Sequence, residues 1–195
     1  MRYRFFPVTE PVTNEVLEKF KTLRLASLAI DPSSFSSTYE HEKTFTPEVW
    51  MQRLISPFKR TFIASVRVEE ETTSETWVGT VVVLGPSELI PAMLEPFERE
   101  GVGADWNMYV MVGMWVHPEH RGRGLGKRLM EAGLEWVQTN MDPKNNTEGK
   151  RDKMVLLQVG DHNASGRALY QKVGFTDLKS MPLDEEGHRW MSLTV

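Results

Sequence analysis

A single mixed α/β domain is the fold class this sequence predicts, and three observations carry that expectation. Two β-rich runs, "TFIASVRV" and "TWVGTVVVL", sit close together in the manner of an antiparallel hairpin. Two later runs, "NMYVMVGMWV" and "KMVLLQV", are each followed by a stretch with helical periodicity, so hairpins come first and strand–helix units later. The length of 195 residues suits one domain, taken as residues 1–195, and is long enough to bury a sizeable core.

The elements follow in order. "YRFFPV" from Tyr3 to Val8 reads as an opening strand. From Thr13 to Ile30, apolar residues at Val16, Leu17, Phe20, Leu23, Leu28 and Ile30 give an amphipathic helix with Thr13 as its N-cap, broken at Asp31-Pro32. "SSFSSTYEHE" reads as a polar connector, and Thr46-Pro47 opens a short helix through Trp50 and Leu54. The hairpin strands flank the acidic turn "EEETTSE", and Gly85-Pro86 ends the second. Glu88 to Gly103 is expected to be a loop with one helical turn. Gly113 inside "NMYVMVGMWV" points to a bulge or a close backbone approach. Leu125, Leu129, Ala132 and Trp136 lie on one helical face. "TNMDPKNNTEGKRD" is polar and turn-rich. Asn163 to Val173 reads as a helix with Ala168, Leu169 and Val173 inward and Gly174 as its stop, and "WMSLTV" closes as a strand.

Bulk properties narrow the function. With 40 % hydrophobic and 26 % charged residues, the chain has the composition of an ordinary globular protein. A net charge of −4 gives no general reason to expect nucleic acid as a partner. The absence of cysteine excludes disulfides, thiol nucleophiles and thiolate metal sites. No run approaches the roughly 20 apolar residues of a membrane span, and "MRYRFFPVTEPV" lacks the apolar core of a signal peptide. A cytoplasmic protein without membrane partners, monomeric or homodimeric, is the expectation. Asn145-Asn146-Thr147 and Asn163-Ala164-Ser165 fit the glycosylation acceptor pattern, which recurs by chance, and neither is read as modified.

The stretch "VHPEHRGRGLGKRLMEAGLEW" carries the chemistry. Gly122, Gly124 and Gly126 alternate with Arg121, Arg123 and Lys127 where a strand feeds a helix. Such a turn lets the backbone come close to a bound group, while the first helical N–H groups and the helix dipole favour an anion. A nucleotide P-loop would need Ser or Thr after Gly126-Lys127, where Arg128 stands. A dinucleotide fingerprint would need glycine at Lys127. The alternative is a flexible capping loop with solvated cations. His117 and His120, three residues apart around Pro118, read as rim residues, and no metal is expected.

"MWVHPEHRGRGLGKRL" resembles the signature of the GNAT superfamily of N-acetyltransferases: Arg or Gln, two residues, Gly, one residue, then Gly or Ala, matched by Arg121, Gly124 and Gly126. "DHNASGRALYQKVGF" is similar to the family's second motif through Asn163, Ala168, Leu169, Tyr170, Gly174 and Phe175. The resemblance implies a mostly antiparallel sheet splayed between its fourth and fifth strands, with helices on both faces and acetyl-CoA in the splay. It implies that Met114, Trp115 and Val116 offer backbone groups to the pantetheine arm and acetyl carbonyl. The turn of Arg121, Gly122, Arg123, Gly124, Leu125, Gly126 and Lys127 would cradle the pyrophosphate. Asn163 would bond the arm, and Tyr170 would face the thioester sulfur as the catalytic acid.

The implied reaction is direct attack of a small-molecule or peptide amine on the thioester of acetyl-CoA. Several members place a glutamate base five residues before the motif's Asn, where this chain has Gln158. An amide cannot take a proton at useful pH. Glu40, Glu42, Tyr39 and Asp105 are candidate residues of the acceptor mouth. The alternative function is a catalytically silent CoA-binding or regulatory module.

Overall fold

The chain begins with β1 (Arg2–Pro7), whose partner in the sheet is β2 (Lys59–Arg67), antiparallel in the register Arg2↔Arg67 to Pro7↔Phe62. Between them run α1 (Asn14–Ile30), α2 (Tyr39–Glu42) and α3 (Pro47–Leu54). Residues 1–67, 75–103, 105–146 and 152–195 are described in this computed structural model. Most of the acidic turn between the hairpin strands, Thr147 of the first glycosylation pattern and part of the polar segment before "KMVLLQV" lie outside them.

The remaining elements are β3 (Thr76–Leu84), α4 (Pro91–Arg99), β4 (Asn107–Val116), α5 (Leu125–Thr139), β5 (Lys153–Gly160), α6 (Ala164–Val173), β6 (Thr176–Asp177) and β7 (His188–Thr194). Hydrogen bonding orders the strands β1-β2-β3-β4-β5-β7-β6 in one seven-stranded mixed sheet. β4 and β5 are parallel, whereas β7 is antiparallel to both β5 and β6. The β4–β5 register runs only from Asn107↔Lys153 to Val110↔Leu156, although β4 continues to Val116 and β5 to Gly160.

The fold clusters into two units, Met1–Val82 with Gly113–Leu129 and Val83–Val112 with Met130–Val195. In the first unit, α1 buries Leu17, Phe20 and Leu23 against Trp50 and Leu54 of α3, Ile63 of β2 and Trp115 of β4. The Thr13 hydroxyl accepts the Val16 N–H at the start of α1 (3.3 Å), and Thr46 does the same for Val49 at α3. Burying such side chains contributes about 1.5–3 kcal/mol each. In the second unit, Phe97, Met108, Val110, Met154 and Leu156 form a core, with the Phe97 ring 4.8 Å from that of Trp190.

Several elements differ from the sequence expectation. The polar connector contains α2, because Thr38 caps it (His41 N–H to Thr38 Oγ1, 3.2 Å) and Glu42 turns inward to two arginines. The expected loop from Glu88 holds α4 instead. Two prolines mask its pattern, yet Pro91 occupies the first turn, where no N–H is needed, and Phe97 anchors the helix in the core. The buried line of α5 runs through Leu125, Leu129, Met130, Gly133 and Val137, so Ala132 and Trp136 flank it. Gly133 serves close packing: a Cβ there would stand 2.9 Å from Met111 Cε and Val83 Cγ2. On α6, Ala168 faces solvent and Tyr170 is the buried residue. Gly113 has φ +62°, in keeping with the irregularity expected inside β4.

Candidate functional site

The glycine turn belongs to the first unit. After β4, the chain makes a 3₁₀ turn at Pro118–His120 and enters α5 through Gly122 (φ +72°) and Gly124 (φ +78°). Both are left-handed positions that L side chains rarely adopt, and a Cβ at either would meet nothing within 4 Å. The glycines therefore keep one side of the backbone open without being forced by packing. Arg128 N–H donates to Gly124 O (3.2 Å), so the amides of Leu125 and Gly126 precede the helical ladder.

The cations around the turn have distinct jobs. Arg121 donates from Nε to Val116 O (2.8 Å) and from a terminal nitrogen to Asp31 Oδ2 (2.5 Å). The same carboxylate oxygen accepts Trp115 Nε1–H at 2.6 Å. Asp31, just past the end of α1, thus ties the end of β4 to the turn and offsets the Arg121 charge. Arg123 donates to the Tyr3 hydroxyl (3.1 Å) and to Glu119 O (3.4 Å), both neutral acceptors. The Arg128 guanidinium lies over the Phe5 ring at 4.0 Å. The turn also brings one ligating atom each of His117, Glu119 and His120 within 4.8 Å of one another. Both imidazoles are already engaged: His117 Nδ1 accepts Glu119 N–H (3.4 Å), and His120 Nδ1 meets the Tyr3 hydroxyl (3.0 Å). Burial, with His117 and Arg123 beside it, pushes His120 below its ordinary pKa and favours the neutral ring.

Asn163 and Tyr170 belong to the second unit. Asn163 caps α6, its Oδ1 accepting Gly166 N–H at 2.9 Å, and its own N–H donates to Gly160 O at the end of β5. Tyr170 lies 8 % exposed against the Phe175 ring, and burial pushes its hydroxyl up to about 12. A phenol so placed stays protonated through the physiological range, which suits a hydrogen-bond donor and excludes a base. Gln158, on β5, donates from Nε2 to Asp184 Oδ2 (2.9 Å). Asp184 is also held by the N–H groups of Glu186 and His188 and faces the His188 ring, Nδ1 to Oδ2 3.0 Å.

Residues 74–177 match the family described as acetyltransferase (GNAT) domain, a match that includes both motifs. The chain belongs to the GNAT acetyltransferases. Among similar proteins are the L-methionine sulfoximine/L-methionine sulfone acetyltransferase of Salmonella typhimurium, 23 % identical over 180 residues, covering 89 % of this chain and 91 % of that one. The L-amino acid N-acyltransferase MnaT of Escherichia coli is 22 % identical, over 89 % of this chain and 90 % of its own. Among solved structures, Arabidopsis thaliana NAA60 in complex with acetyl-CoA shares the fold at a TM-score of 0.64 and 15 % identity, covering 100 % of this chain and 99 % of that one.

Against the GNAT expectation for an acceptor mouth, Glu42 moves furthest. It is fully buried and bonded by Arg24 (2.7 and 2.9 Å) and Arg53 (3.0 Å), so it is part of the frame rather than of a mouth. Glu40 pairs with Lys43, while Tyr39 and Asp105 are exposed. No functional signal in the sequence marks Asp31, Asp184 or His188, the last showing no ligand spacing. Asp31 carried only a helix-break signal, and the short acidic loop before the final strand has no motif spacing.

Proposed function

We propose that this GNAT acetyltransferase moves the acetyl group of acetyl-CoA to the primary amine of a small molecule or peptide, with an L-amino acid as the acceptor class to test first. The open glycine turn carries the reading: Gly122 and Gly124 at positive φ clear a face beside the Leu125 and Gly126 amides, as a diphosphate requires. A related fold crystallised with acetyl-CoA supports the cosubstrate, and two relatives named for amino-acid acyl transfer support the acceptor class. In this reading the backbone of Met114, Trp115 and Val116 takes the pantetheine arm and orients the acetyl carbonyl, with a main-chain N–H near Val116 for the developing oxyanion. Gly122 to Lys127 hold the pyrophosphate, and Arg121 shapes the turn, its N–H taken by Pro118 O and its guanidinium by Val116 O and Asp31. Asn163 meets the arm.

The role of Tyr170 follows from magnitudes. A thiol titrates near 8.5, whereas Tyr170 is pushed up to about 12. Complete proton transfer from this phenol to a thiolate would run uphill by on the order of 5 kcal/mol. Tyr170 therefore stabilises the departing sulfur by donating a hydrogen bond, and the final proton comes from elsewhere. The test is a calorimetric titration with acetyl-CoA, paired with thiol release on L-methionine sulfone and on peptides with free N-termini. Saturable binding and release are expected, with Gly124→Val weakening acetyl-CoA at least tenfold. Lack of saturation at millimolar acetyl-CoA overturns the reading. Saturable binding without release on any amine selects the silent module, which the Gln158 amide favours.

A further inference from the structure

Gln158 occupies the place on β5 where a proton acceptor is wanted, and its amide cannot serve. It nevertheless points at one. Its Nε2 donates to Asp184 Oδ2, and that carboxylate faces the His188 ring, 3.0 Å from Nδ1. We infer that His188 is the general base of the acetyl transfer and Asp184 its positioning residue, an inference that rests on the transferase reading above.

The carboxylate is fixed from several sides. Asp184 Oδ1 accepts the N–H of Glu186 (3.0 Å) and of His188 (2.8 Å), and the turn is closed by Gly187 N–H to Asp184 O (3.0 Å) and Asp184 N–H to His188 O (3.1 Å). Burial raises the Asp184 carboxyl, but these bonds and the His188 ring outweigh it and hold the group below its ordinary value, so it is ionised at neutral pH. An ionised carboxylate only accepts, which places the ring proton on Nδ1 and the lone pair on Nε2. That is the tautomer a base needs, and the carboxylate stabilises the imidazolium once it forms. A turn-capping role alone would use Oδ1; Oδ2 takes the Gln158 amide and lies nearer His188 Nδ1 (3.0 Å) than Oδ1 does (3.2 Å).

The location suits the task. His188 pairs with Gly160 across β5 and β7, and a Cβ on Gly160 would lie 3.1 Å from His188 Cδ2. Gly160 O in turn receives the N–H of Asn163, which opens the helix bearing Tyr170. The base and the cap therefore share one strand end, and the helix that the cap opens carries Tyr170. The His188 side chain is 24 % exposed, reachable by an amine yet partly shielded. Among the described residues, Glu186 (3.7 Å) and His162 (ring centroids 6.4 Å apart) also face the ring, while Arg189, next in sequence, is held by Asp161 and Asp177.

In the step, the amine lone pair forms the C–N bond to the acetyl carbon while the C–S bond breaks and the electron pair leaves on sulfur. The proton lost from nitrogen passes to His188 Nε2 and is then released to solvent. The thiolate, hydrogen-bonded by Tyr170, takes one proton from solvent, so none is gained or lost overall.

The test uses the full chain with L-methionine sulfone and a panel of other primary amines. His188→Gln should lower kcat at least 100-fold, a typical general-base effect, with the Kd for acetyl-CoA unchanged. Asp184→Asn should lower kcat less, about tenfold, and should loosen the Nδ1 preference of the His188 ring proton, because the carboxylate that fixes the tautomer is gone. Nitrogen-resolved NMR of the wild type should show the His188 proton on Nδ1, a readout independent of turnover and of variant folding. Wild-type kcat and pH profile in His188→Gln, or a proton on Nε2, overturn the base alone. An inert wild type that still binds acetyl-CoA overturns the transfer and the base together, and absent acetyl-CoA binding overturns the underlying reading.

Discussion

Glu42 illustrates what one carboxylate does once it is taken out of water. Burial opposes its charge, but Arg24, Arg53 and a hydrogen bond from Ser37 prevail and keep its pKa below the usual carboxylate value. The residue lies on α2, Arg24 on α1 and Arg53 on α3, so three helices meet at one anion. Removing that charge strands two cations, one of them only 11 % exposed. Glu42→Gln is therefore expected to destabilise the protein by about 3–5 kcal/mol, measured by denaturant unfolding. A loss under about 1 kcal/mol would show that the arginines find water instead.

At the level of elements, Lys153 closes a helix that has no basic residue in its own last turn. Its ammonium, at the start of β5, donates to the carbonyls of Val137 (2.7 Å), Gln138 (3.0 Å) and Asn140 (2.8 Å). These are among the carbonyls a helix end leaves unpaired, and the charge complements the helix dipole. Lys153→Met should cost about 1.5–3 kcal/mol, and hydrogen exchange should quicken first in the last turn of α5. Uniform exchange across α5 would argue against a local cap. The elements also show what the sequence could tell. β3 and β4 have the bounds their apolar runs announced, and α1 and α3 begin at their capping threonines, because these signals are local. α2 and α4 were hidden because tertiary contacts to Glu42 and Phe97 hold them. The glycine turn was legible by spacing and motif. The Asp184–His188 pair was not, since its partner Gln158 is 26 residues away in sequence and signals nothing by type.

For the whole molecule, the lowered carboxyls set the response to acid. A group whose native pKa is depressed contributes stability that is complete above its unfolded value, about 4.3 for Glu, and is lost as pH falls through the native value. Wild type should therefore outmelt Glu42→Gln by a wide margin at pH 7, and the margin should shrink steadily below about pH 4. An undiminished difference in Tm at pH 3 would contradict the assignment.

The anchoring of the glycine turn bears on whether it can be borrowed for another protein. His117 N–H donates to Val78 O (2.8 Å), Arg121 reaches Asp31 across 90 residues of sequence, and Arg123 reaches Tyr3 across 120. A peptide excised from Val116 to Thr139 would carry every glycine and cation of the motif while leaving behind all three moorings. Grafted alone onto a new scaffold, the loop would sample many shapes, so its grip is a property of distant strands and helices rather than a portable cassette.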